Sequence, residues 1–398
     1  MRTTRLGLRS RLAAAICSVA LALAAAACGS ANTPGQAGDS AVAPGQRMTT
    51  ITDVLGRQVN VPLPAHRVLL GGQRLLYTTA ILNKTDPTAN VVGWPDDLLQ
   101  NDPDTYQRYL ARFPQIAKVP RIGQLPDGSV SVEQAIALHP DVFVVSAANF
   151  PAAKDAGIVD RLNAVGVPTV VVDFFVDPVH HTEPSVRLMG QLFGRTAEAE
   201  RFVSYYHQAV AKVRTRLAAA HQPPTPVFLW RAPGYYDCCA TFAESNLGQL
   251  ITYAGGANMS DGLFPGAQGT LSPETVISRN PAVVIATGAA WAPGTPATPG
   301  GYVPLGYNEN RAAAAAQLRT VVDKQAGFAN LGAVASRRTY VVWHHFYDSP
   351  YNFLAVQWFA KWLHPDLFTD VDPDAEIQEL HNNFLPIPAG GAFWAQLP

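Results

Sequence analysis

Cysteine is scarce in this chain, with 4 residues in 398. Cys17 and Cys28 fall near the N-terminus, which leaves only the neighbours Cys238 and Cys239. A disulfide framework and a CxxC zinc pattern are therefore excluded. Charge is also thin: 15% of residues are Asp, Glu, Lys or Arg, and the formal net charge is −1. No Lys/Arg stripe stands out, so the electrostatic footprint of a nucleic-acid binder is missing. Beyond the N-terminus no apolar run is long enough to span a bilayer. Catalytic signatures are absent as well: no GxSxG elbow, no P-loop, no GxGxxG after a strand and no HExxH. The carboxylates do not pair in an evident cleft. The chain is expected not to be an enzyme; an envelope enzyme is the distant alternative.

What is present begins with a leader. MRTTRLGLRSRL carries Arg2, Arg5, Arg9 and Arg11, an apolar run of Ala, Val and Leu follows, and small residues precede Cys28. A basic head, a short apolar centre and a small-residue cleavage zone make a signal peptide over 1–27. A cysteine directly after the small residues is the bacterial lipobox arrangement, with Ala25 where Leu is usual. Cys28 is expected to be acylated after cleavage; the alternative is an ordinary secretory signal. Loss of the four arginines takes the net charge to −5. Residues 28–47, rich in Gly, Ala, Ser and Pro, have too little apolar surface to order themselves and read as a tether.

The remainder, 48% apolar over the whole chain, is long enough for two lobes. Short β-branched runs such as RVLLGG (67–72) and NVVGW (90–94) alternate with segments of helical spacing. That alternation implies parallel sheets covered on both faces. One phrase occurs twice. SVEQAIALHPDVFVV (131–145) and SPETVISRNPAVVIA (272–286) each place Ser, then Glu two positions on, then Pro, then an apolar run. Ser131 and Ser272 suit helix N-caps, Glu133 and Glu274 the first turn, and Pro140 and Pro281 the helix ends. Each copy is a capped helix feeding a buried strand, and two copies mean two lobes of similar build. Between them Thr196 is expected to cap a helix of about 24 residues, roughly 36 Å long. Its apolar stripe comprises Ala199, Val203, Tyr206, Val210, Val213 and Leu217. The expected division is an N-terminal α/β lobe (48–182), connecting helices (183–222) and a C-terminal α/β lobe (223–398), held apart by a stiff rod with a cleft between them.

At this point the chain resembles the substrate-binding lipoproteins of bacterial ABC importers for ferric siderophores, haem and cobalamin. The resemblance rests on TDVLGRQVNVPLPAHRVLL, PRIGQ, SVEQAIALHPDVFVV, NLGQLITYAGGAN, LSPETVISRNPAVVIA and FANLGAVASRRTYVV, in that order. It departs from the family at Ala282, where Asp is usual. The resemblance implies two α/β lobes on one rigid helix, an extracytoplasmic and lipid-anchored location, and an ABC permease as partner. It implies that Glu133 and Glu274 dock onto permease arginines; the plainer alternative is that both only favour their helix N-termini.

Ligands of open α/β sheets bind beyond the carboxyl ends of the strands. The loops chosen on that rule supply Arg74, Tyr77, Arg121, Trp230, Arg231, Tyr235, Tyr236, His345, Tyr347 and Tyr351. The set is arginine plus aromatic, which suits a large, flat-faced, often anionic ferric complex of the siderophore or citrate type. Haem or a corrinoid, with Tyr77 or Tyr235 as axial ligand, and a molybdate-type oxyanion on Arg74 and Arg231 are the alternatives. A bare metal would need three or four His, Asp or Glu donors, and no such cluster is obvious, though His180-His181 and His344-His345 leave that option open. Trp343 reads as packing, Tyr77 as packing or site. Of His344 and His345, which must alternate on a strand, His345 is placed in the cleft. Cys238 and Cys239 form either a vicinal disulfide or two thiols. No permanently bound cofactor, no nucleic acid and a monomeric state are expected.

Overall fold

The structure, a computed structural model, describes residues 44–398 apart from 126, 293, 296 and 298–300. The leader, Cys28 and most of the tether lie outside the described residues. Where the tether was expected to end, Arg47 already opens a hairpin of β1 (Arg47–Thr52) and β2 (Gln58–Leu63).

Behind the hairpin stand β3 (Val68–Leu70), β4 (Val91–Gly93), β5 (Val142–Ser146) and β6 (Thr169–Val172). They form a parallel sheet in the order β4-β3-β5-β6. The second half contributes β7 (Thr225–Trp230), β8 (Ala240–Phe242), β9 (Gly256–Asn258), β10 (Gln268–Thr270), β11 (Val283–Gly288), β12 (Thr339–Trp343) and β13 (Trp394–Gln396). Its main sheet runs β13-β12-β11-β7-β9, parallel except for β13. Strands of Val, Ile and Leu buried on both faces account for the near-continuous apolar runs. This is the expected α/β architecture.

The doubled phrase folds alike in both halves. Ser131 accepts from the Gln134 amide at 3.2 Å and opens a helix over Val132–Ala137, which feeds β5. Ser272 accepts from the Thr275 amide at 3.2 Å and opens Pro273–Arg279, which feeds β11. The copies differ after their prolines. Asp141 takes the backbone amides of His66 and Arg67 and the Gln46 side chain. Ala282 has no such group, and Asn280 instead accepts from the Gly332 amide at 2.8 Å. The Asp at this place therefore ties chain segments together, and its loss in the second copy is offset from two residues away.

The connector helix spans Thr196–Ala220. Thr196 lies inside it; Arg195 occupies the cap position, without a side-chain cap. The preceding helix begins at Pro178, ahead of the expected start of the connecting helices at 183; Asp177 accepts from the His180 amide, and Pro184 lies inside the helix. Gly194, at φ +64°, makes the break between the two helices; a Cβ there would meet Pro64 at 3.0 Å. Of the predicted stripe, Ala199, Val203, Tyr206 and Val213 are buried, Val210 and Leu217 only partly, and Phe202 joins them.

The halves are not held apart. One apolar cluster runs from Leu70 and Tyr77 through Phe202 and Tyr206 to Trp343, Tyr351 and Phe353. Polar bonds cross the same boundary: Tyr206 Oη donates to Asn352 Oδ1 at 2.9 Å, Tyr351 Oη to the Tyr77 carbonyl at 3.0 Å, and Asn246 Nδ2 to the Phe175 and Tyr347 carbonyls, each at 2.8 Å. All described residues belong to one compact unit. The two α/β halves and the long helix between them are as expected, and interior packing continues from one half to the other along that helix. The sequence shows two repeats, but the long helix is apolar along enough of its face to weld them. Among the described residues no helix is long and apolar enough to cross a membrane.

Candidate functional site

The strand ends of the first sheet converge on one hollow of about 160 Å³. Gly72, Arg74 and Leu75 follow β3, Asp97 follows β4, Ser146 and Asn149 close β5, and Phe174 and Phe175 follow β6. Asp348, from the loop after β12, closes the hollow from the other half.

Arg74 is not free in this hollow. Its Nε donates to Asp97 Oδ2 at 2.7 Å, and its Nη1 donates to the Tyr347 hydroxyl and to the Asp348 carboxylate. Asp97 also accepts from the Gln73 amide at 2.5 Å. Burial opposes the Arg74 charge, but Asp348, Tyr347 and Asp97 more than compensate, so its pKa rises above the ordinary arginine value. Burial raises the Tyr347 phenol in turn, and it stays protonated.

The facing wall belongs to the second sheet. Trp291 lies 5.6 Å from His344, His344 4.5 Å from Tyr347, and Tyr347 6.5 Å from Phe242, measured between ring centres. The Arg231 guanidinium sits 4.8 Å above Phe242 and 4.5 Å above Tyr236. Tyr236 touches Tyr235 at 4.8 Å, and Tyr235 returns to Trp291 at 4.7 Å. The side chains thus close a circuit of ring contacts, called the basin below, with Phe242, His344 and Trp291 buried, Tyr236 at the surface and one cation beside it. Arg231 donates to Gln268 Oε1 at 2.7 Å and to Tyr236 Oη at 3.1 Å, and among the described residues no carboxylate pairs with it. Tyr236 is 36% exposed. His344 is buried and held neutral: burial lowers its pKa, with His345, Arg231 and Arg74 adding to the effect. Ala232 N–H donates to Thr287 Oγ1, whose hydroxyl is also hydrogen-bonded to His344 Nδ1 at 2.8 Å.

Arg74, Arg231, Tyr235, Tyr236 and Tyr347 line the two walls as described. Other expected residues are elsewhere. Tyr77 and Tyr351 are buried against each other at 5.6 Å, and Tyr77 Oη donates to Asp102 Oδ2 at 2.5 Å. They pack beneath the walls, because each sits on a helix face turned to the shared core. Tyr77 has no free hydroxyl for haem iron. Trp230 packs onto Phe328, at 5.0 Å, and lines a second hollow of about 270 Å³ that it shares with Tyr236, Asp237, Cys238 and Lys324. Arg121 is half exposed, 3.8 Å from Asp96, and lines neither wall. His345 is fully buried, with Nε2 3.1 Å from the Asn101 carbonyl; its neighbour His344 faces the basin instead. A short helical turn after β12 breaks the strand alternation on which the expectation relied. Asp97, Phe175, Phe242, Trp291 and Asp348 were missed. All but Phe242 and Asp348 follow strand ends that the same rule would have picked. Asp348 adjoins Tyr347.

Cys238 and Cys239 are joined as a disulfide. Glu133 is exposed and pairs with Arg161, which lowers its pKa. Glu274 is exposed. Among the described residues no group of three His, Cys, Asp or Glu could hold a metal ion.

The geometry can be set beside known proteins. No curated protein matches the chain significantly. Among solved structures, the TroA-like periplasmic binding protein FepB from Veillonella parvula superposes with a TM-score of 0.79 at 24% identity, covering 88% of this chain and 99% of its own. The molybdate-bound periplasmic protein MolA from Haemophilus influenzae gives 0.61 at 19% identity, covering 86% and 99%. The CeuE protein of Helicobacter pylori, in complex with nickel and histidine, gives 0.60 at 13%, covering 86% and 96%. At these identities the likeness is one of fold. The periplasmic binding protein family itself matches residues 78–342, from the first helix of one half to the last parallel strand of the other, and the chain belongs to that family.

Proposed function

We propose that the chain is an extracytoplasmic receptor, anchored through acylated Cys28, that captures a ferric complex of the siderophore or citrate type and hands it to an ABC import permease. The observation that carries this reading is the basin around Arg231. A guanidinium with no carboxylate partner, stacked on Phe242 and on the exposed Tyr236, would offer planar donors to ligand oxygens and an aromatic contact to flat chelate rings. A compact oxyanion is a poorer fit, since it needs converging unpaired cations at short range and Arg74 is already spoken for by two carboxylates. A haem or corrinoid is the second reading, favoured by the half-buried Tyr235 at the basin edge as an axial ligand. The solved relatives are described with molybdate or nickel–histidine, so fold alone does not choose the ligand.

Tryptophan quenching with ferric citrate, a ferric tricatecholate, haemin and molybdate tests the reading. Binding of a ferric chelate, weakened about thirtyfold or more by Arg231→Ala, is the expected outcome. A shifted haemin spectrum without chelate binding would transfer the assignment to haem, and binding of molybdate alone would sink it.

Glu133 and Glu274 are proposed to dock on the permease, each in the first turn of its copy of the repeated helix. Such exposed charges set encounter and register more than affinity. Reversing both should abolish uptake while chelate affinity stays unchanged; surviving uptake would remove the role.

A further inference from the structure

The hollow beside Trp230 gathers polar side chains that answer to no protein partner. It measures about 270 Å³, and Tyr236 belongs both to its lining and to the basin. Asp237 follows on the same loop, and Lys324 and Gln325 enter from the end of the helix Arg311–Lys324. Asp237 and Lys324 are exposed. Among the described residues neither forms an ion pair, with the other or with a third group, and the Gln325 side-chain amide bonds to nothing. Trp230, in the same lining, is 3% exposed, and its Nε1–H has no hydrogen-bond partner among the described residues. The hollow at Arg74 is the opposite case, since Asp97 and Asp348 already neutralise its arginine.

The loop that carries Asp237 is fixed on both sides. The Tyr235 and Tyr236 amides each donate to the Ala232 carbonyl at 3.0 Å, and Cys239, joined to Cys238, exchanges backbone bonds with Leu271 at 3.3 and 3.0 Å. Gly234, at φ +86°, lies so close to Gly301 that a Cβ there would run into the Gly301 carbonyl. On the other side Val321, 6% exposed, roots the end of the helix. The two charges thus stand on backbone that is set before any ligand arrives, which lowers the ordering cost of binding.

An anion and a cation that share one hollow without pairing call for an occupant that bears both complementary charges. A plain oxyanion would meet Asp237, and a plain cation would meet Lys324, so each is opposed by a like charge. The volume falls below the roughly 300–1,000 Å³ of pockets that enclose a drug-sized ligand, so the occupant is small or is one end of something larger. We propose that this hollow binds an α-amino-acid group, with Asp237 taking the ammonium, Lys324 the carboxylate and Gln325 a further hydrogen bond to either. The group is a free amino acid or the end of a larger molecule that reaches over Tyr236 towards Arg231. The second source rests on the chelate reading given above; the first does not.

Nitrogen-15 NMR of the ligand-free chain labelled at the tryptophan indoles tests this, with Trp230→Phe assigning the Trp230 signal. L-alanine should move that signal saturably, with a dissociation constant of about 1 mM. Propionate and ethylamine, which each lack one of its charges, should need at least about tenfold more. Lys324→Gln and Asp237→Asn, both at exposed positions, should each weaken alanine about tenfold while the other indole signals stay in place. Should either variant not fold, the propionate and ethylamine comparison on the wild type carries the test. Tryptophan quenching by the ferric complexes of glutamate γ-hydroxamate and of acetohydroxamate separates the two sources. Binding of the former about tenfold tighter, with the gain lost in Lys324→Gln, assigns the group to a chelate; equal binding, or none, assigns it to a free amino acid. No saturable shift with alanine, or propionate binding as well as alanine does, overturns the proposal.

Discussion

Arg74 and Arg231 follow the first strands of their respective sheets, and the chain reads alike around them, yet they meet different fates. Arg74 is held by two carboxylates, one from each half, and by a phenol. Arg231 rests on aromatic faces with only neutral partners. The difference teaches that a guanidinium near a cleft is a ligand group only if its own protein has not already neutralised it. One wall has become a fastening and the other an open floor.

The comparison can be broken most severely at Arg74. Arg74→Ala strands Asp97 and Asp348 without their cation in a buried place, and should cost about 3–5 kcal/mol of stability by chemical denaturation. A loss below about 1 kcal/mol would mean that the fastening holds nothing.

A half-buried acid, with no cation bonded to it among the described residues, sharpens the same point. Glu376 accepts from Gln357 Nε2 at 2.8 Å and Trp358 Nε1 at 3.0 Å, and burial raises its pKa to about 7. Since the folded value lies above the ordinary 4.5, this group favours the folded chain fully below pH 4.5, and the benefit is lost as the pH rises towards 7. Glu376→Gln should therefore stabilise the protein above pH 7, by up to roughly 3 kcal/mol, and flatten the slope in that window. His381 works in the opposite sense. Its pKa is lowered to about 4 by burial, so its contribution is complete above the ordinary 6.5 and fades as the pH falls towards 4. An unchanged slope in Glu376→Gln would show that burial is not what raises the acid.

The smallest stability effect belongs to Arg231. Arg231→Ala should change stability by less than about 1 kcal/mol, because the side chain is half exposed and bonds only neutral groups. A large loss there would erase the contrast between the walls.

The fold was legible where local rules act. The repeated Ser and Glu give capped helices, and runs of Val and Ile give parallel strands, because each depends on neighbours in the chain. The site was legible in part. Arg231, Tyr235, Tyr236 and Tyr347 follow from asking what lies beyond strand ends. Tyr77, Tyr351 and Trp230 were misplaced because an aromatic residue beside a cleft looks the same in sequence whether it faces the gap or the core. The pairing of Arg74 with Asp97 and Asp348 joins positions 23 and 274 residues apart. No spacing rule connects them. Nor does any local pattern say that the connector helix would weld the halves: that depends on Phe202 and Tyr206 finding Phe353, at 6.1 and 5.7 Å.

The weld has a consequence for the two copies of the repeated helix. The shared packing reaches the helix that begins at Ser272 through Val276, whereas Val132 and Ala135 of the helix that begins at Ser131 pack in a separate cluster of the first half. The two repeated helices therefore differ in their footing: one is tied to the interior that both halves share, the other only to its own sheet.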